Sequence, residues 1–133
     1  MRNGDVVRRV YELFSAGRLD QIRELVSADF DWTFFGPDEL PWAGKYTGHG
    51  GFDEFFAVVA DHVQVEQFEV NEYIEAGDQV VAVGTSTARI LGTETRYHAT
   101  WINVFTLTDG RISRLLDLYD TGTVVRALRS ARS

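Results

Sequence analysis

The stretch Val104–Thr121, VFTLTDGRISRLLDLYDT, decides the fold. Two runs rich in β-branched and apolar residues flank Asp109-Gly110, a pair that tolerates positive φ at both centres of a two-residue turn, so the stretch predicts a tight antiparallel hairpin. Working back from it, the first strand reaches Arg96, and a turn near Gly92 joins it to a strand over Val80–Leu91. Ala76-Gly77-Asp78 then turns into a run over Gln67–Ala76, whose alternation puts Phe68, Val70 and Ile74 on one face. Four strands joined by short turns make an antiparallel meander.

The first half of the chain reads differently. Val6, Val7, Val10, Leu13 and Phe14 recur at helical spacing between a cap at Asp5 and a stop at Gly17. A short helix follows, with Leu19, Ile22, Leu25 and Val26 on one side. Phe30–Phe35 reads as a strand, and the segment GPDELPWAG (36–44) as a loop. A third helix spans Gly51–Val63 with Phe52, Phe55, Phe56, Val59 and Val63 along one stripe, and a closing helix spans Gly122–Arg129. The order is ααβαββββ plus a short C-terminal helix. Helices followed by a meander predict an α+β fold whose helices cover one face of a curved sheet.

The 133 residues are read as one domain, 1–133, long enough for a substantial core. Nine Phe, five Tyr and three Trp suit the walls of a pocket as well as a core. The chain has no cysteine, which removes disulfides and thiol nucleophiles. Between Tyr46 and Ala88 there are eight acids and no Lys or Arg, in a chain of net charge −7, so nucleic acid is not an expected partner. With no apolar run of ~18 residues and no signal-like N-terminus, a membrane is not expected either, and the location expected is cytoplasmic. No histidine pair has metal-ligand spacing, so no metal site is expected.

Three phrases carry a family resemblance: SAGRLDQIRELVSADFDW (15–32), LPWAGKYTGHGGFDEFF (40–56) and the hairpin quoted first. Together they resemble the SnoaL-like, ketosteroid-isomerase-related branch of the nuclear-transport-factor-2-like superfamily. The resemblance implies a cone-shaped sheet wrapped by three helices around an apolar pocket. It specifies the reaction poorly, since that cone hosts isomerases, cyclases, epoxide hydrolases, dehydratases and non-enzymatic binders. The isomerases' oxyanion tyrosine falls at Val10, and Tyr11, about 100° further round the helix, is expected to point elsewhere. Their general-base aspartate falls at Phe34 and their protonated aspartic acid at Asn103, where an amide can still donate. The epoxide hydrolases' final-strand aspartate matches Asp117, while its partners fall near Ser86 and Gly84 and are not kept.

Strand parity adds a wall to this pocket. If Asn103 faces inward, so do Ala99, Trp101 and Phe105; on the last strand Leu115, Asp117 and Tyr119 share one face, which the family resemblance places inward. Asp117 is then the expected acid–base group, its pKa raised by desolvation, with Asn103 as a polarising donor. His98 is the third catalytic candidate: it has the wrong parity and would need a β-bulge to turn inward. Trp32, Phe34, Trp42, Tyr46, Trp101 and Tyr119 are the expected ligand-binding residues. The function expected is binding of a small hydrophobic, carbonyl-bearing molecule, polyketide-like or steroid-like, with cofactor-free isomerisation, cyclisation or dehydration. The alternatives are a non-catalytic binding module and an epoxide-hydrolase-like enzyme, which would need Arg89 or Glu72 beside Asp117. The outer sheet face, with His98, Thr100, Ile102, Val104 and Thr106, is expected to pair two copies as a homodimer.

Overall fold

A computed structural model describes residues 2–132. The elements are α1 (Asn3–Ser15), α2 (Leu19–Glu24), β1 (Val26–Phe34), β2 (Gly44–Thr47), α3 (Gly48–Ala60), β3 (Val63–Ala76), β4 (Gln79–Ile90), β5 (Arg96–Thr108), β6 (Arg111–Tyr119) and α4 (Thr121–Ala131). One six-stranded sheet has the order β2-β1-β6-β5-β4-β3. Only β1 and β6 run parallel, and β3 to β6 form the expected meander. Asp109 and Gly110 hold φ of 53° and 80°, the left-handed pair that a two-residue hairpin between right-twisted strands requires. Gly17, at φ 72°, follows the end of α1 as the sequence predicts.

One strand is additional to the expected order. β2 begins at the last residue of the 36–44 segment read as a loop and runs on through residues 45–47, to which no element was assigned, and it pairs with β1 through Trp32 and Tyr46. It is only four residues long, and Tyr46 alone among them is buried, so it offers no alternation to detect. α3 consequently begins three residues before its expected start.

Bulges set the phase of three strands. β3 shifts register against β4 between Val65 and Gln67 and again between Val70 and Glu72. Each extra residue reverses the inward parity. Phe68 and Val70 therefore pack on the core, but Tyr73 takes the next inward place and Ile74, expected beside them, is 48% exposed. In β6 the register shifts opposite Thr106 and Leu107, leaving Ser113 as the extra residue. Strict alternation from the buried Ile112 would turn Arg114, Leu116 and Leu118 inward. The bulge instead buries Leu115 and Asp117 and leaves Leu118 outside. β1 shifts likewise between Val26 and Asp31, which aligns Phe30, Trp32 and Phe34 with that same inner face.

The helices close the concave side. α1 buries Val6, Val7 and Tyr11, and α3 buries Phe52 and Phe55. α4 is capped by Asp120, whose carboxylate accepts from the Thr123 amide at 3.2 Å. Its Arg129 pairs with Glu39 in the β1–β2 loop. Among the described residues, no helix is long and apolar enough to cross a membrane.

Candidate functional site

Asn103 and Asp117 are direct cross-strand partners on β5 and β6, so their side chains leave the same face within hydrogen-bond reach. Both are buried, at 7% and 6% exposure. Asn103 Nδ2 donates to Asp117 Oδ1 at 2.9 Å. From β1, Trp32 Nε1 donates to Asp117 Oδ2 at 3.2 Å. From α1, the Tyr11 hydroxyl donates to Asn103 Oδ1 at 2.7 Å. The result is one chain of donors, Tyr11 to Asn103 to Asp117, with Trp32 closing on the carboxylate from the other side.

Two effects oppose each other at Asp117. Burial penalises the charge, while the Trp32 and Asn103 donors favour it. Burial wins, and the pKa rises from the ordinary 3.8 to about 7. The neighbouring phenols move the same way. Burial, reinforced by the charge of Asp117, pushes the Tyr11 and Tyr119 hydroxyls well above the usual phenol range. They stay protonated, and Tyr11 serves as a donor to Asn103. The Ser86 hydroxyl lies beside Tyr119 and partly offsets that shift.

These groups face a cavity of about 330 Å³, within the size range of small-molecule sites. Half of the lining residues are aromatic. Trp32 packs on Phe55 with ring centroids 3.9 Å apart, and Phe34 stacks on Tyr119 at 5.3 Å. Trp42 completes this wall, and Asp117, Asn103, Ser86 and Tyr119 supply its polar points.

Four expectations are corrected. His98 does not face the cavity: no bulge interrupts β5 there, its side chain is on the outer face, and its Nδ1 lies 2.8 Å from Thr87 Oγ1. Tyr46 turns away from the cavity; its ring packs edge-on against Phe55 and its hydroxyl donates to the Trp42 carbonyl at 2.9 Å. Trp101 is on the inner face but behind the wall, sandwiched between Phe68 and Tyr11 with centroids at 4.7 and 5.6 Å. Tyr11, expected to point elsewhere, reaches into the site. Helical spacing already placed it there, since Val7, Tyr11 and Phe14 follow at i, i+4 and i+7; a one-residue offset in matching the family's tyrosine concealed it. Ser86 entered the sequence reading only as the place of an epoxide-hydrolase partner that is not kept, and its Thr-Ser-Thr surroundings look the same on both faces.

The partners an epoxide-hydrolase arrangement needs are also elsewhere. Arg89 donates to Gln64 Oε1 at 2.9 Å on the neighbouring strand, and Glu72 is exposed beside a β3 bulge. Neither lines the cavity.

Residues 7–115 match the model of the SnoaL-like domain. The chain belongs to the SnoaL-like family. Its solved neighbours share the whole cone. An NTF2-like protein of unknown function from Burkholderia pseudomallei is 26% identical, with a TM-score of 0.86 over 96% of this chain and 98% of that one. An NTF2-like protein from Burkholderia thailandensis is 20% identical, with a TM-score of 0.87 over the same shares. TerC, crystallised with polyporic acid, is 24% identical, with a TM-score of 0.85, again over 96% and 98%. Further neighbours are named as candidate isomerases and polyketide cyclases. Among curated proteins, none matches the chain.

Proposed function

We propose that this SnoaL-like protein binds a small hydrophobic, carbonyl-bearing molecule in its cavity, polyketide-like or steroid-like, and that Asp117 moves a proton on it. One observation carries the proposal: a single carboxyl group, poised at about pH 7, faces an aromatic cavity. A general base works best when its pKa lies near the working pH. Ionised Asp117 takes a proton from the carbon next to a ketone, the C–H electron pair passes into the carbonyl, and an enolate forms. Protonated Asp117 then returns the proton at another carbon, which completes an isomerisation. Aldol-type cyclisation and dehydration run through the same enolate. The carbonyl is the electron sink, so the step is balanced without a redox partner.

Asn103 has its carbonyl oxygen and one N–H engaged by protein; it holds Asp117 and keeps its second N–H as a polarising donor. The Tyr119 and Ser86 hydroxyls are further donors for an enolate oxygen. Support also comes from the neighbours' names and from the polyporic acid complex of TerC.

The test is deuterium exchange at the α-carbon of 2-tetralone in D₂O, followed by proton NMR. Exchange should be accelerated with an inflection near pH 7 and should fall roughly 100-fold or more in Asp117→Asn. Binding of 2-tetralone with no exchange above buffer would leave a non-catalytic binding module.

The same reading makes the protein a cytoplasmic homodimer. Ile102 and Leu118, each 39% exposed, stand on the uncovered outer face of β5 and β6, and removing such a patch from water favours pairing. Sedimentation equilibrium should give twice the chain mass, and a monomer at micromolar concentration contradicts the dimer.

A further inference from the structure

The polar inventory of the cavity is lopsided. Among the described residues, its lining holds one carboxyl group, Asp117, and no Lys, Arg or His. Charged partners are not supplied from behind the wall either. Asp117 meets Trp32 from β1, Asn103 from β5 and, through Asn103, Tyr11 from α1. The other titratable groups nearby are phenols: Tyr119, on its own strand, feels the Asp117 charge, and Tyr97, further along β5, acts on Tyr119 and is itself pushed up by burial to about 12. The histidines at the two ends of α3 do not line the cavity: His49 Nε2 lies 2.9 Å from the Val26 carbonyl oxygen, and His62, just past the helix and behind Trp42 with ring centroids 6.2 Å apart, has its Nδ1 2.8 Å from the carbonyl oxygen of Val58. The arginines and acids of the fold pair with each other at the surface, as Arg96 does with Glu66 and Arg23 with Asp53.

We infer that the cavity selects uncharged ring compounds and turns anions away, with Asp117 as the residue that sets this specificity. The inference rests on the binding half of the proposal above and adds a charge class to the ligand. The physical reason is uncompensated repulsion. A carboxylate or phosphate entering this space leaves water without gaining a cation, and it stands within several ångströms of Asp117. Two like charges about 6 Å apart at an effective dielectric near 20 repel enough to weaken binding by roughly 100-fold. The repulsion acts where Asp117 is ionised. Below its pKa the carboxyl is neutral, and only the missing cation still disfavours the anion. The discrimination must therefore grow as pH rises through neutrality.

The test compares two probes of the same shape, 2-naphthamide and 2-naphthoate, by isothermal titration calorimetry on the full chain. Naphthoate stays ionised throughout the range used. At about pH 8.5 naphthamide should bind roughly 100-fold more tightly than naphthoate. At about pH 5.5, where Asp117 is protonated, that ratio should shrink at least several-fold. In Asp117→Asn the ratio should stay near the low wild-type value of about pH 5.5 and be independent of pH. Equal affinities at the higher pH, a ratio that does not move with pH in the wild type, or no binding of naphthamide overturns the inference. The wild-type pH series suffices if the variant does not fold. The proton-transfer proposal fails separately: discrimination without exchange of 2-tetralone removes the chemistry and leaves the selectivity, whereas exchange with naphthoate bound as well as naphthamide does the reverse.

Discussion

At the scale of single residues, the site is a contest over one proton. Among the described residues, Trp32 and Asn103 donate to Asp117, and Tyr11 stands behind Asn103. Trp32 donates directly from the cavity wall, and its loss removes a bond to the charged form. Tyr11 acts at one remove: its hydroxyl occupies Asn103 Oδ1 and so keeps Nδ2 turned toward the carboxylate. Without that hydroxyl the buried amide oxygen has no donor, and a flipped amide would offer Oδ1 to Asp117, which favours the protonated acid. Trp32→Phe and Tyr11→Phe should therefore both raise the Asp117 midpoint, by about one pH unit or more, since hydrogen bonds to charged groups contribute about 1.5–3 kcal/mol. Carbon-13 NMR of the carboxyl group reads this with no ligand present. A midpoint unmoved by Tyr11→Phe would mean that the phenol fills space and does not orient the amide.

At the scale of elements, the decisive features are interruptions in regular strands. The hairpin turn, the meander and the stop at Gly17 were legible because each has a local signature: a residue pair that accepts positive φ, alternation, or a glycine after an apolar stripe. Bulges have none. Whether Ile74 or Tyr73 faces the core depends on where β3 pairs with β4, which is a property of two strands at once. The Ser113 bulge in β6 is the same case, and Asp117 was placed inward by family resemblance where alternation from Ile112 alone would have misplaced it. β2 was missed because a short edge strand is defined by its partner. Gly84 shows what pairing demands of a single position. A methyl group there would collide with the Glu69 carbonyl oxygen and with the Trp101 ring, which lies across β4 at that point. Gly84→Ala should cost about 2 kcal/mol or more, because neither backbone nor a buried indole can retreat. Urea unfolding checks it; a loss under about 0.5 kcal/mol would show that β3 and Trp101 adjust freely.

At the scale of the whole molecule, the cone encloses aromatic walls and a partly neutral acid, and its stability must reflect that acid. The architecture was readable from the sequence because element order and turn chemistry restrict it tightly. The contents of the cavity were only partly readable. Trp32, Phe34, Trp42 and Tyr119 line it, but Tyr46 and Trp101 differ from them only in how neighbouring rings crowd them aside, and crowding is not written in periodicity. Asp117 binds its proton more tightly in the folded chain than in the unfolded one, at about 7 against 3.8. The folded state therefore holds the extra proton between those values, and stability falls as pH rises through the window. The full gap corresponds to about 4 kcal/mol, of which about 2–3 kcal/mol is lost between pH 5 and pH 8. The direct measurement is urea unfolding of the wild type and Asp117→Asn across that range. The account predicts a wild-type stability that declines by about 2–3 kcal/mol toward pH 8 while the variant stays nearly level. A wild-type curve that is flat or rising over the same range would contradict a buried acid titrating near neutrality.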